Sequence, residues 1–441
     1  MRPVIRVIVG CTEPEALRVR PAAIAAYDDA RRRRWPFLSD ILERALRSPG
    51  ISPDDGAALR STVHALVKYH RLLAFASQSD DAGQHFDELF ALCRGEDREI
   101  DSRIERIDRP TERLGVTWSF PDWMVERIGE ELGAEAVEPA LARMNELAPR
   151  VARANSLRST RDDVLRALAE EGLSAQPTTH AMHGIAFAGH GSVFRTRAFA
   201  RGDFELQDEA SQLVAELVAP PPGSLVIDAC AGAGGKTLAI AALLAGKGRV
   251  VALDASEDKL AELRRRARRA GAHNVRAVAV DLLDPARLSD ILRATGGPAS
   301  RVLLDAPCSG FGAIRRNPEA RWRLRPADLD RMVETQRALM SAAASLVGVR
   351  GRLVYATCSF LPSEGERIVE RFLGDRSDFS RVTVRDVLGR ARTTSLATPD
   401  GRFLRTWRFD GHPEGANANM DGFFAGVVRR AAARGLDSVG S

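Results

Sequence analysis

The sequence predicts an α/β protein: a doubly wound parallel sheet in its C-terminal half, preceded by a small α+β module and an all-helical N-terminal region. From Gly223 onward, short apolar runs alternate with helical stretches, the rhythm of a parallel sheet covered by helices on both faces. Between Pro121 and about Leu206 the periods are mixed. From about 15 to 110 only helical periodicity interrupted by polar breaks is found. The expected divisions are 1–115, helical; 116–205, the α+β module; 206–432, the doubly wound domain; and 433–441, a flexible tail.

In the helical region, FLSDILERAL sets Phe37, Ile41, Leu42 and Leu46 on one face, and AALRSTVHALVKYHRLLAF repeats the pattern. The run Arg31 to Arg34 reads as a solvated helix face, with an RNA-facing cluster as the alternative. The module offers helices at DWMVERIGEEL, VEPALARMNELA and RDDVLRALAEEG and a strand at RVARANS. His180, His183 and His190 lie close together there, but no carboxylate or cysteine completes a ligand set, and no metal is expected. In the last domain the strands are SLVIDAC, GRVVALDAS, VRAVAVDLLD, RVLLDAPCSG and GRLVYATCSF. Ligands of such sheets bind beyond the carboxyl ends of the strands, so the polar residues found there carry the function.

Composition narrows the classes. The 441 residues are 44% apolar, enough for two or three full cores. Nothing approaches the ~20 apolar residues of a membrane span, and VIRVIVG is too short and too charged for a secretory segment, so the expected location is cytoplasmic. Five widely spaced cysteines do not form a disulfide framework or a zinc pattern. A net charge of +5, from 64 basic and 59 acidic residues, permits a nucleic-acid partner without demanding one.

DACAGAGGKT (Asp228 to Thr237) ends like a phosphate-binding loop, but the glycine that such a loop needs is Cys230. The dinucleotide fingerprint G-x-G-x-x-G is also absent, since the glycines are Gly232, Gly234 and Gly235. A small-residue turn after Asp228, a second strand ending in Asp254 for ribose hydroxyls, and Asp281 beyond the third, beside an adenine, suit S-adenosylmethionine, which has ribose and adenine but no phosphate. The bland reading of each aspartate is a strand-end helix cap.

Strand four ends in Asp305-Ala-Pro-Cys308 and strand five in Thr357-Cys358, which puts two thiols at one rim if these strands are neighbours at roughly 4.8 Å. Methylation of a pyrimidine at carbon 5 uses such groups. A thiolate adds to C6 and turns the ring into an enamine nucleophile. A carboxyl such as Asp305 donates or shares a proton at N3, and a second thiol helps when the C5 proton leaves.

DAPCSGFGAIRRNPEARWR (Asp305 to Arg323), with TCS at Thr357 to Ser359, resembles the RNA cytosine-5 methyltransferases of the NOL/NOP/Sun family, and among them the bacterial RsmB (Fmu) type. The likeness is dense over about 205–430, including QDEASQ and MDGFFAGVVRR, and weaker before. It implies a Rossmann-like methyltransferase domain with S-adenosylmethionine as cofactor, Cys358 as nucleophile and Cys308 in product release. Cys230, Ala231, Gly232, Ala233, Gly234, Gly235, Lys236, Asp254, Asp281 and Asp305 would line the cofactor site. It further implies a monomer acting on 16S rRNA, with tRNA as the alternative substrate and a non-catalytic RNA-binding protein as the rival class. Gly232 and Ala233 stand where the family usually has Ala and Pro, and the helical region is shorter than the family's NusB-like domain. A target cytosine must be unstacked. Arg315, Arg316, Arg321 and Trp322, with Arg323 and Arg325, are the expected RNA contacts, and packing under the active-site loop is the other reading of Trp322. Arg264 to Arg269 reads as a solvated face.

Overall fold

A computed structural model describes residues 9–432 apart from 49, 53, 54, 97, 98, 190 and 410–419. The expected tail, 433–441, and His190 lie outside the described residues. The chain forms two compact units, one of Met1–Ala148 with Gly310–Leu329, the other of Pro149–Ser309 with Asp330–Ser441.

The first unit is helical. Helices Arg20–Arg32, Gly56–Lys68, His70–Ser77 and Ala82–Arg94 bury one face each around Tyr27, Leu59, Leu66, Leu72, Phe86 and Leu89. The stretch expected as one helix over 57–75 is two, broken at the buried Tyr69 (φ −98°, ψ 14°). The amides freed at the break, of Arg71 and Leu72, donate to the Ser119 hydroxyl at 3.1 and 3.4 Å, a distant cap that local periodicity does not show. Helices Asp122–Leu132 and Ala134–Asn145 pack on each other and on Pro110–Trp118, so they share the first compact unit, which runs to 148. Their amphipathic pattern showed that they bury a face, not against which neighbour.

The second unit opens with a four-stranded antiparallel sheet of β1 (Arg150–Ala154), β2 (Ala175–Pro177), β3 (Gly184–Phe187) and β4 (Phe204–Leu206), in the order β2-β3-β1-β4. Val164 and Leu168 of helix Arg161–Glu170 cover one face, against Ala152, Ile185 and Phe204.

The large sheet follows. Its strands are β5 (Leu225–Asp228), β6 (Arg249–Asp254), β7 (Val275–Ala279), β8 (Ala299–Asp305), β9 (Val347–Thr357), β10 (Phe379–Val382), β11 (Leu404–Arg405) and β12 (Phe424–Arg430). The order is β10-β12-β9-β8-β5-β6-β7, with β11 on β12. The five expected strands are the parallel core, and β12 runs antiparallel to β9. Alternate residues face opposite cores, Val226, Val250 and Leu303 on one side, Ile227, Val251 and Val302 on the other. This is the doubly wound, Rossmann-like arrangement. Because β5, β6, β8 and β9 are parallel and in register, Asp228, Asp254, Asp305 and Thr357 finish at the same edge of the sheet. Among the described residues no helix is long and apolar enough to cross a membrane.

Candidate active site

β5 delivers the buried Asp228, which accepts a 2.6 Å bond from the Thr237 hydroxyl. Burial, opposed by that bond and reinforced by Asp305, pushes its carboxyl up to about 7. Its other oxygen is buried without a hydrogen-bond partner among the described atoms. The turn after it needs glycine twice. Gly232 has φ +53° and nothing within 4 Å of where a Cβ would stand, so the backbone there is open to a ligand. Gly234 has φ +86°, and a Cβ on it would meet Leu263 at 2.5 Å.

The turn is held from β6 and from the helix that follows. Asp254 accepts from the amides of Gly232 at 2.8 Å and Ser256 at 2.9 Å, which fixes its carboxylate and leaves each oxygen a second lone pair. Arg266 donates to the Ala233 carbonyl at 2.8 Å and pairs with the buried Glu205 at 3.0 Å. Arg269 pairs with the same Glu205, so Arg266 and Arg269 both leave the solvated face expected for Arg264 to Arg269. Together these bonds restrain a turn that lacks the family's proline.

Burial pushes the Cys230 thiol far up, helped by Asp228 and Asp254, so Cys230 stays protonated. Lys236, also buried, donates to Asp305 at 2.6 Å and lies 5.0 Å from the Phe423 ring. Asp281 is exposed and accepts from the Leu283 amide in a local turn, next to Val280, whose amide donates to the Asp254 carbonyl at 2.9 Å.

β8 and β9 are neighbours, and the sulfurs of Cys308 and Cys358 stand 3.3 Å apart at their ends. Neither cysteine is in a disulfide, and both are half-buried. What fixes this pair was not read from the sequence. Glu364, fully buried, accepts from the Ser309 amide at 2.8 Å, from the Ser309 hydroxyl and from Gln336 at 3.0 Å. Gln336 also donates to the Pro307 carbonyl at 2.9 Å, so Cys308 is clamped on both sides. The Glu364 carbonyl accepts from the hydroxyls of Tyr355 at 2.8 Å and Thr357 at 3.3 Å, tying in the end of β9. A glutamate in a short loop carries no periodic signal; the only sequence hint was its place just after TCS.

Two of the expected RNA contacts, Arg315 and Arg321, need correction. Arg321 is fully buried in the helical unit and donates to the carbonyls of Lys68, Ser119 and Met144 at 3.1, 3.2 and 2.9 Å. Those carbonyls lie at the C-terminal ends of the helices Gly56–Lys68, Pro110–Trp118 and Ala134–Asn145, where orphan acceptors and negative dipole ends converge. Arg315 is 1% exposed and stands 3.9 Å from Glu146. Arg316 is half-buried, its carbonyl 3.2 Å from His64. Trp322 is anchored by a 2.7 Å bond to the Val67 carbonyl. Arg315 and Arg321 are thus structural cations, out of reach of RNA. Among the described residues no group of His, Cys, Asp and Glu forms a candidate metal site.

Comparison with known proteins adds the following. Residues 215–428 match the family described as 16S rRNA methyltransferase RsmB/F, and residues 120–194 match the RsmF/B-like ferredoxin-like domain. The chain is 32% identical over 420 residues to the ribosomal RNA small subunit methyltransferase B of Pseudomonas syringae pv. tomato, covering 92% of this chain and 89% of that one. It is 34% identical over 274 residues to the probable ribosomal RNA small subunit methyltransferase B of Synechocystis sp., covering 62% of this chain but only 60% of that relative's length. The crystal structure of PH0851 superposes with a TM-score of 0.73 at 23% identity, covering 96% of this chain and all of the other, a likeness of fold.

Proposed function

The chain belongs to the RsmB/F family of 16S rRNA methyltransferases, and from that membership we propose that it transfers the methyl group of S-adenosylmethionine to carbon 5 of a cytosine in 16S rRNA. The observation that carries the reading is the pair of thiols, 3.3 Å apart and not joined in a disulfide, at the ends of adjacent parallel strands. The cofactor, when bound, supplies an electrophilic methyl group. The residues present fit it: the Gly232 backbone faces open space, and the Asp254 carboxylate is held in place for ribose hydroxyls.

Cys358 adds as thiolate to C6 of the base, and the ring electrons move to C5, which takes the methyl group. The C5 proton passes to a base, the role read for the sulfur of Cys308, and expulsion of the Cys358 sulfur then restores the aromatic ring. Cys308, in contact with Cys358, assists that departure. Asp305 is not a free acid, because it is paired with Lys236. The proton shared with N3 is therefore held by a Lys–Asp pair, whose cationic member offsets the charge that develops on the ring. The same reading makes the protein a cytoplasmic monomer.

Cys358→Ala should lower methyl transfer by at least about a thousand-fold with S-adenosylmethionine binding retained. Cys308→Ser should accumulate a protein–RNA adduct on a denaturing gel. Normal turnover by the first variant removes the nucleophile assignment. Bisulfite sequencing of RNA from cells with and without the gene identifies the target, and a lost signal in tRNA alone would move the substrate there.

A further inference from the structure

The helical unit contains an open cleft of about 590 Å³, and one residue of its lining, Trp322, is among the expected RNA contacts. Trp35, Trp123 and Trp322, three of the chain's five tryptophans, line it with His70, Arg71 and Asp122. Ring centroids lie 4.9 Å apart for Trp35 and His70, 5.3 Å for His70 and Trp322, and 6.1 Å for Trp35 and Trp322. All three indoles remain only half-buried. Close packing would ordinarily bury rings of this size, while a cleft of this volume suits a small planar ligand.

The backbone presents Trp35 in an unusual way. Arg34 and Trp35 have φ of 58° and 62°, two successive non-glycine residues in the left-handed region, which is unfavourable for a bulky side chain. The Trp35 amide donates to the Ala30 carbonyl at 2.8 Å and fixes the turn. Burial holds His70 neutral, its pKa pushed down to about 3 with Arg31 and His85 adding to the effect, so the aromatic wall carries no charge. At the polar end Arg71 is braced by the Phe120 carbonyl at 2.6 Å and Asp122 at 2.5 Å. Arg32, Arg33 and Arg34, just before Trp35, are exposed, and so is Phe37, at 58%, with the Arg323 guanidinium 4.3 Å from its ring centre.

We propose that this cleft takes an unpaired nucleobase of the RNA substrate, stacked among Trp35, Trp123 and Trp322, with its phosphates toward Arg32 to Arg34. The proposal rests on RNA being the substrate. Every base has a π face for the indoles and a donor and acceptor edge for Arg71 and Asp122, while its phosphates match the basic turn. An apolar peptide would satisfy neither the ion pair nor the arginines.

Titrating the full chain with a single-stranded oligoribonucleotide of roughly 12 nucleotides should quench tryptophan fluorescence, and the same sequence as a duplex should not. Trp123→Leu should weaken single-strand binding about 10-fold, with Trp35→Leu as an independent second variant. An unaltered helical circular-dichroism signal and melting temperature show that each variant is folded. Equal quenching by duplex, or unchanged affinity in both variants, overturns the cleft while leaving methyl transfer in place. If the unaltered protein methylates no RNA and is not quenched, the substrate class and the cleft fall together.

Discussion

Glu364 is the residue on which the reactive pair depends most. Glu364→Ala leaves the Ser309 amide and the Gln336 side chain without their acceptor, so kcat should fall about 10- to 100-fold while S-adenosylmethionine affinity holds. Glu364→Gln keeps one acceptor oxygen and should recover part of the loss; equal activity in the wild type and Glu364→Ala would remove the clamp. Asp228 makes a second claim, about pH. Its carboxyl is protonated in the folded chain up to about 7, whereas in the unfolded chain it ionises near 4. The folded state then holds the extra proton between those values, so this group's contribution falls as pH rises from about 4 to about 7 and is level above. The whole effect is at most on the order of 4 kcal/mol. Asp228→Asn should flatten it, seen as a smaller loss of Tm between pH 5 and pH 8; an identical loss in both proteins would refute the assignment. The strand-end aspartates and cysteines were legible in the sequence because a parallel sheet collects strand ends at one edge. Glu364 was not, since its partners Ser309 and Gln336 are distant in the chain and only packing brings them near.

Among the elements, the turn from Ala229 to Gly234 shows how two glycines differ. Gly234→Ala drives a Cβ into Leu263 at 2.5 Å and also demands φ +86° of a non-glycine residue. The turn must shift, and S-adenosylmethionine should bind about 10-fold or more weakly by calorimetry. Gly232→Ala meets nothing in the protein, so its effect on folding should be only about 1 kcal/mol of backbone strain. If the two variants unfold at the same temperature, the Leu263 contact is not what demands glycine. The five parallel strands were readable as continuous apolar runs between helices. β12 was not read as a strand, although FFAGVVRR is such a run, because antiparallel insertion between β9 and β10 is a matter of topology. The break at Tyr69 was hidden for a similar reason: its cap, Ser119, comes from another helix.

For the molecule as a whole, the arginine-rich segment after Cys308 proved to be a core element of the helical unit. Arg321→Met would strand three helix-end carbonyls and should lower stability by on the order of 3 kcal/mol or more. Arg321→Lys should recover only part, because an ammonium cannot span the fork. An unchanged melting temperature for Arg321→Met would overturn the structural role. Sequence reasoning placed this segment toward RNA because arginine suits phosphate. It suits a convergence of helix C-termini equally well, and only the fold distinguishes the two.

Residues 310–329 belong to the first unit although 149 to 309 precede them in the second, and this has a bearing on synthesis. Domains ordinarily fold from the N-terminus as the chain emerges from the ribosome. Here the helices before 148 lack Arg321 and Trp322 until roughly 160 further residues have been translated, so a part made early is among the last to close. Until then Lys68, Ser119 and Met144 present open carbonyls on a nascent chain that has already begun its large sheet.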